Sequence, residues 1–301
     1  MDTADGTDAE STDAAAAAVG AATTTSPARR LRDALEPVAM HAVWSPQVHE
    51  ALAPHGYDFL TGYLTGLAAP LGEVPSALVT ATFGVFEPGL VDRLRTAGRA
   101  LLPLPDLIAL RDRAAAASLR DTLGEAEEAR AAEVATALEQ AVDAVDGTAR
   151  PLFSALRAQP RLADPFGRLW RAADLVREHR GDGHLAAVVA TGLDPVRASI
   201  LAELWVGYPV GEYSATRGWS EEVRAAAVAH LERDGLLTDG RLTAAGRELR
   251  DGVEAATDAS QEDLVAALPD LDALVSDLRR WSARCIEAGT FPDDDRKRAA
   301  G

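Results

Sequence analysis

Along most of the chain, apolar residues recur at helical spacing between proline and glycine stops, and almost nowhere with the two-residue period of a strand. Ser45-Pro46 supplies an N-cap and a first-turn proline ahead of Val48 and Leu52, with a stop at Pro54. Leu60, Tyr63, Leu64 and Leu67 mark a helix over 57–67 that closes at Pro70 and Gly72. Further helices begin at Pro75 and after Glu87-Pro88, the latter with Leu90, Val91 and Leu94 on one face. Residues 106–123 and 125–145 read as a long antiparallel pair broken at Gly124, with Val134, Leu138, Val142 and Val145 as the buried stripe of the second. The stretch 147–165, with Pro151, Pro160 and Pro165, is the expected boundary between domains.

Beyond it, Phe166, Leu169, Trp170, Ala173 and Val176 line one amphipathic helix and Leu185, Val188 and Val189 another, with His179-Arg-Gly-Asp-Gly-His184 as the turn between them. Asp194-Pro195 caps a helix through Trp205, residues 207–216 hold a short second helix, and Ser220 caps a third that runs to Asp234. Residues 235–243 are two short apolar segments around Asp239-Gly240, which is hairpin chemistry, and Thr243 caps a following helix. The predicted fold class is mainly α: a helical N-terminal domain (29–150), a helical connector (151–192), a winged helix-turn-helix with a small β-hairpin wing (193–258) and a C-terminal helix (259–291). Residues 1–28 contain five acids, no base and little apolar surface, so a disordered tail is expected there, and a polar tail over 292–301. A faint echo relates 72–94 to 207–231, each a short helix, a turn with Gly, then an acid-started helix.

The run from Gly235 to Leu249, Gly-Leu-Leu, Asp-Gly-Arg, Leu-Thr-x-x-Gly-Arg-x-Leu, resembles the MarR-like regulators. With Arg217-Gly-Trp-Ser-Glu-Glu222, the 179–184 segment and Ala69-Pro-Leu-Gly72, the chain from Leu31 to Asp258 resembles the actinobacterial helix-turn-helix family typified by SalT of the salinomycin cluster. The resemblance implies an architecture rather than an activity, and MarR-like relatives imply a homodimer.

Composition narrows the partners. At 301 residues and 47% hydrophobic, the chain has material for two domains with their own cores. It carries no apolar run of membrane-spanning length and no signal-peptide order, so no membrane partner and a cytoplasmic location are expected. Cys285 is the only cysteine, which excludes an internal disulfide and a Cys-rich zinc or iron–sulfur site. The formal net charge is −17, and the 193–258 unit holds seven arginines against twelve acids, a net of −5. That balance repels phosphate.

Two readings of the chemistry stay open. In the first, the protein is a MarR-like transcriptional regulator responding to a small-molecule ligand. Arg217, Ser220, Arg224 and Arg241 then contact DNA, while Arg180, Trp170, Trp219 and His41 line the ligand site. The acids Glu221 and Glu222 suit the dipole of the third helix but would face phosphate badly. In the second, the winged unit is a structural or dimerisation element and the 179–184 turn is an enzymatic or metal- or haem-binding site. His184 in the first turn of a new helix would be a neutral base, and His179 at the end of the previous helix would favour its charged form, with Asp182 between them. His179 and His184 are also the candidate metal ligands, although their spacing is not the H-x-x-x-H of zinc enzymes. The bland alternative is a structural turn in which Asp182 caps the second helix. His49, His55 and His230 read as surface or packing histidines. No phosphate-loop, dinucleotide-fold, serine-hydrolase or zincin motif is present, and the sequence names no cofactor.

Overall fold

The computed structural model describes residues 25–296. The expectations for residues 1–24 and 297–301 fall outside the described residues. The elements are α1 (Pro27–Ala39), α2 (His41–Trp44), α3 (Pro46–Leu52), α4 (Phe59–Ala68), α5 (Ser76–Phe83), α6 (Pro88–Arg99), α7 (Leu104–Leu123), α8 (Glu128–Ala144), α9 (Pro151–Arg157), α10 (Pro165–Ala190), α11 (Pro195–Trp205) and α12 (Glu221–Arg233). A two-stranded sheet, β1 (Leu237–Thr238) and β2 (Arg241–Leu242), precedes α13 (Ala244–Ala259), α14 (Glu262–Ala266) and α15 (Leu271–Glu287). The protein is thus mainly helical, as expected.

Helix α1 begins inside the segment expected to be disordered. Ser26 accepts the N–H of Arg29 and Pro27 occupies the first turn, the same start signal read at Ser45-Pro46. At the other end, the Tyr208 hydroxyl donates to Asp294 at 2.9 Å and the Arg296 guanidinium lies 4.1 Å from the Tyr208 ring centre, so the first part of the expected polar tail is docked.

The main core joins α1 (Leu31, Leu35, Val38), α7 (Leu107, Leu119), α8 (Val134, Leu138, Val142), α10 (Phe166, Leu169, Trp170) and α15 (Leu278, Trp281). Elements on both sides of 147–165 therefore share one core. Helices α7 and α8 are not chiefly a pair with each other, because each packs against α10, and α15 packs against α1. A smaller cluster of Leu64, Val79, Phe83, Phe86 and Val91 holds α4, α5 and α6 together.

A third cluster, Val196, Ile200, Leu201, Ala227, Leu231 and Leu237, unites α11, α12 and β1. Here the caps fall where the sequence placed them: Asp194 on α11, Ser220 on α12 and Thr243 on α13 each accept a first-turn N–H. The strands pair antiparallel, Leu237 opposite Leu242 and Thr238 opposite Arg241. Asp239 (φ 47°) and Gly240 (φ 70°) make the turn, as a tight hairpin requires. The expected helix over 207–216 is replaced by turns and a short 3₁₀ segment, Ser214–Arg217. The cause is Glu203, fully buried, whose carboxylate accepts from the N–H groups of Gly211, Tyr213 and Ser214 and from the Ser214 hydroxyl. The N–H groups of Gly211, Tyr213 and Ser214, given to that carboxylate, are not free for helical i to i−4 bonds.

Gly246, part of the Leu-Thr-x-x-Gly-Arg run, lets α13 lie against β1, since a Cβ there would fall 2.1 Å from the Leu236 carbonyl oxygen. The obstacle is backbone and cannot swing away. Gly246→Ala is expected to destabilise the protein by about 1–3 kcal/mol, the usual cost of overpacking. Urea denaturation checks this, and an unchanged midpoint would contradict the close approach.

Candidate functional site

The 179–184 segment is not a turn. Helix α10 runs unbroken through it, so His184 is not at a helix start, His179 is not at a helix end, and the opposed dipole settings expected for them do not exist. Gly183 marks close packing instead of a break: a Cβ there would meet the Ser260 Oγ at 2.4 Å and the Arg150 Nη1 at 2.7 Å. Each mid-helix glycine costs about 1 kcal/mol of helix propensity, which burial on several sides offsets. Asp182 does cap a helix, but that helix is α9, through the N–H of Phe153 at 2.9 Å.

The three candidate catalytic residues face different neighbours. The His179 Nδ1 meets the Gln261 Oε1 at 2.9 Å, its ring stands edge-on to Phe153, and its carbonyl accepts from Arg150. His184 Nδ1 meets the Thr257 Oγ1 at 3.0 Å. His179 and Asp182 are 3% and 5% exposed, which closes them to any substrate. Among the described residues, no group of three or more His, Cys, Asp or Glu side chains could hold a metal ion.

Burial also sets the proton affinities. It lowers His179 to about 4, with Gln261 as a partial offset and Arg150 adding to the fall. It lowers His41 to about 4 as well, although the Ser118 hydroxyl sits 2.8 Å from its Nε2. His184 falls to about 3, through burial and then the neighbouring Arg250 and Arg180. Asp182 is raised by burial to about 6, against the pull of the Phe153 and Leu152 amides.

What α10 does present at this level is a cluster of arginines. Glu254 of α13 takes ion pairs from Arg29, Arg180 and Arg250, and Asp258 pairs with Arg180 at 3.2 Å and with Arg29 at 3.8 Å. Trp205 of α11 lies 4.6 Å from Arg250 and 5.8 Å from Arg29. This cluster joins α1, α10, α11 and α13. Beside it, between α1 and α10, opens a small cleft, which reaches Arg32, Arg180 and His184 at one end and Glu36 and Arg177 along its side. Of the expected ligand residues only Arg180 lies on it. Trp170 is core, donating to the Ala39 carbonyl at 3.2 Å; Trp219 donates to the Val85 carbonyl at 2.9 Å; His41 is fully buried. Sequence reading missed Arg29, Arg32, Glu254 and Asp258. Their signal was charge on faces that must be buried: Arg29 and Arg32 three apart, then Arg250, Glu254 and Asp258 at four-residue steps.

The candidate DNA residues separate into two groups. Arg241, beside the hairpin turn, and Ser220, the α12 cap, are exposed. Arg224 is half-buried and donates to the Gly211 carbonyl at 3.1 Å. Arg217 bonds the Tyr213 hydroxyl and stacks 4.3 Å from that ring and 4.8 Å from Phe86. The turn before α12 thereby docks on the turn before α6, where the Glu87 N–H donates to the Arg217 carbonyl. The two echoing segments of the sequence meet face to face.

Removing Glu254 would take from Arg250 its carboxylate in the cluster and leave Arg29 and Arg180 to share Asp258. Breaking a buried pair from one side costs about 3–5 kcal/mol, so Glu254→Ala is expected to lose stability on that scale in urea denaturation. A loss below about 1 kcal/mol would show the cluster to behave as a surface one.

The histidines predict a pH dependence. An unfolded imidazole titrates near 6.5, so the stability that His41 and His179 contribute is complete above that pH and is lost as pH falls through about 4. Both rings are therefore expected to give neutral-form NMR signals down to pH of about 5, and a midpoint near 6.5 for either would refute their burial as the cause.

No single helix among the described residues is long and apolar enough to cross a membrane. No curated protein and no solved structure is significantly similar to the chain. A family model described as a helix-turn-helix family matches residues 28–292, a span that takes in the main core, the arginine cluster and the α11 to α13 unit. The chain belongs to this helix-turn-helix family, whose membership points to a DNA-binding regulator.

Proposed function

We infer that the protein is a cytoplasmic transcriptional regulator in which residues 193–258 act as a MarR-like winged helix, as the resemblance to the SalT-typified family implies, and the rest forms a ligand-sensing body. One observation carries this reading: α12 buries only Ala227 and Leu231 fully, with Val228 and Arg224 half-buried beside them, and most of its remaining surface, including Ala225, Ala226 and Ala229, faces solvent. An alanine-faced helix can lie close to base edges, and alanine can contact a thymine methyl in the major groove. The hairpin with Arg241 beside it is the natural wing contact to the sugar-phosphate backbone. Ser220 would reach phosphate from the helix start, while Arg217 and Arg224 hold the turn that aims α12. A homodimer would set two such helices on two half-sites.

Glu221 and Glu222 at the exposed start of α12 oppose phosphate, so affinity is expected to be strongest at low salt. Mobility shift with DNA from upstream of the protein's own coding sequence, at about 50 mM salt, tests the reading. Binding is expected there, and Arg241→Ala is expected to weaken it for all sequences alike and to reduce the salt slope by about 1, as loss of one phosphate contact should. No retarded complex at this salt would sink the proposal.

A further inference from the structure

The cleft between α1 and α10 joins an apolar wall to a cationic end. The wall is the outer edge of the core residues Leu31, Leu35 and Val176, and the cationic end holds Arg32 and Arg180 beside a neutral His184. Arg180 is 7% exposed, and its Nε is one of several buried arginine nitrogens that make no hydrogen bond. The surrounding charge is not balanced locally: Arg29, Arg180 and Arg250 converge on two carboxylates, Glu254 and Asp258. Burial, followed by the neighbouring arginines Arg32 and Arg29, lowers Arg180 to about 10; burial and then Arg29, Arg180 and Arg32 lower Arg250 to about 9. Both guanidiniums would gain from another anion. Glu36 cannot supply it, because its Oε1 takes the Arg177 Nε at 3.1 Å.

We propose that this cleft binds a small amphipathic carboxylate, its apolar body along Leu31, Leu35 and Val176 and its carboxylate at Arg180. The planar guanidinium matches a carboxylate, and an apolar wall leading to few polar groups is how small-molecule sites combine affinity with orientation. The inference rests on the ligand-responsive regulator reading and gives that ligand a chemical class. It also supplies a route to the DNA-binding unit. Arg180 holds Glu254 and Asp258, which belong to α13, the helix that follows the hairpin. A ligand carboxylate competes with them for the same guanidinium and so shifts the attachment of α11, α12 and the hairpin to the body.

The test is calorimetric titration of the full chain with octanoate, octan-1-ol and octylammonium as matched probes. Octanoate is expected to bind at least about tenfold tighter than either of the others, a difference of about 1.4 kcal/mol. Arg180→Met leaves Glu254 paired with Arg29 and Arg250, and should weaken octanoate at least about tenfold while leaving octan-1-ol unchanged. Gly181→Leu guards against a folding artefact: residue 181 lines the cleft, a Cβ there meets only the Glu178 Oε2 at 3.6 Å, and leucine favours the helix. This variant should keep its helical circular-dichroism signal and bind none of the three probes. Equal affinity for octanoate and octan-1-ol, octanoate binding that survives both substitutions, or no octanoate binding at millimolar concentration would each overturn the site. Mobility shifts with and without octanoate separate the two readings. DNA binding by a chain that ignores octanoate removes the site and leaves the regulator. Octanoate binding with no DNA complex under any condition leaves the site and removes the regulator.

Discussion

Helix α10 is buried along most of its length yet carries a charged or imidazole group at nearly every turn, and the rest of the molecule is arranged to neutralise it. Arg171 pairs with Asp112 of α7, Arg177 with Glu36 of α1, and Arg180 with Glu254 and Asp258 of α13. Asp182 accepts from α9, and His179 meets Gln261 just before α14. Such a helix could not be buried against apolar neighbours alone, because an uncompensated charge in the interior costs several kcal/mol. Each pair also selects one neighbour at one height along the helix. The charges therefore act as a register: packing brings α1, α7, α8 and α13 around α10, and the ion pairs decide where each one stops.

This register links the helix-turn-helix unit to the body. The unit has its own core, but its orientation depends on two polar attachments at opposite ends. At one, Glu254 and Asp258 grip the arginines of α1 and α10. At the other, Arg217 and Trp219 dock on the Phe86 turn. Apolar interfaces slide at little cost, whereas an ion pair of this kind is either made or broken. On the proposed reading, a carboxylate arriving at Arg180 enters the competition for that guanidinium, and the buried charges and the cleft beside them act as two parts of one device.

Residues 179–184 mark the limit of what local sequence encodes. Two glycines around an acid between two histidines carry every local mark of a turn. Gly183 is glycine because Ser260 and Arg150 crowd its α-carbon from elsewhere in the chain, which no window of neighbouring residues contains. The lost helix over 207–216 has the same origin, a single buried carboxylate from the preceding helix capturing the N–H groups that a helix would use. Arg217 shows the converse: its position before the third helix suits a DNA contact, but whether an arginine meets solvent or an aromatic ring depends on what the rest of the molecule puts beside it.

By itself the sequence determined the helical class, most helix starts, and the caps, hairpin turn and order of the unit from Asp194 to α13. All of these are local, since a cap hydroxyl reaches three residues and a hairpin turn two, so the information lies beside the structure it produces. It likewise contained the family, whose match runs through the same caps and turns. The tertiary structure alone decided that α10 is one helix, that elements from residue 31 to residue 291 share a core, and that Arg29, Arg180, Arg250, Glu254 and Asp258 meet. Those outcomes turn on charges more than two hundred residues apart finding one another in a dry interior, where pairing is strong because water is absent. Nothing in the spacing of residues along the chain records which surfaces will lose their water.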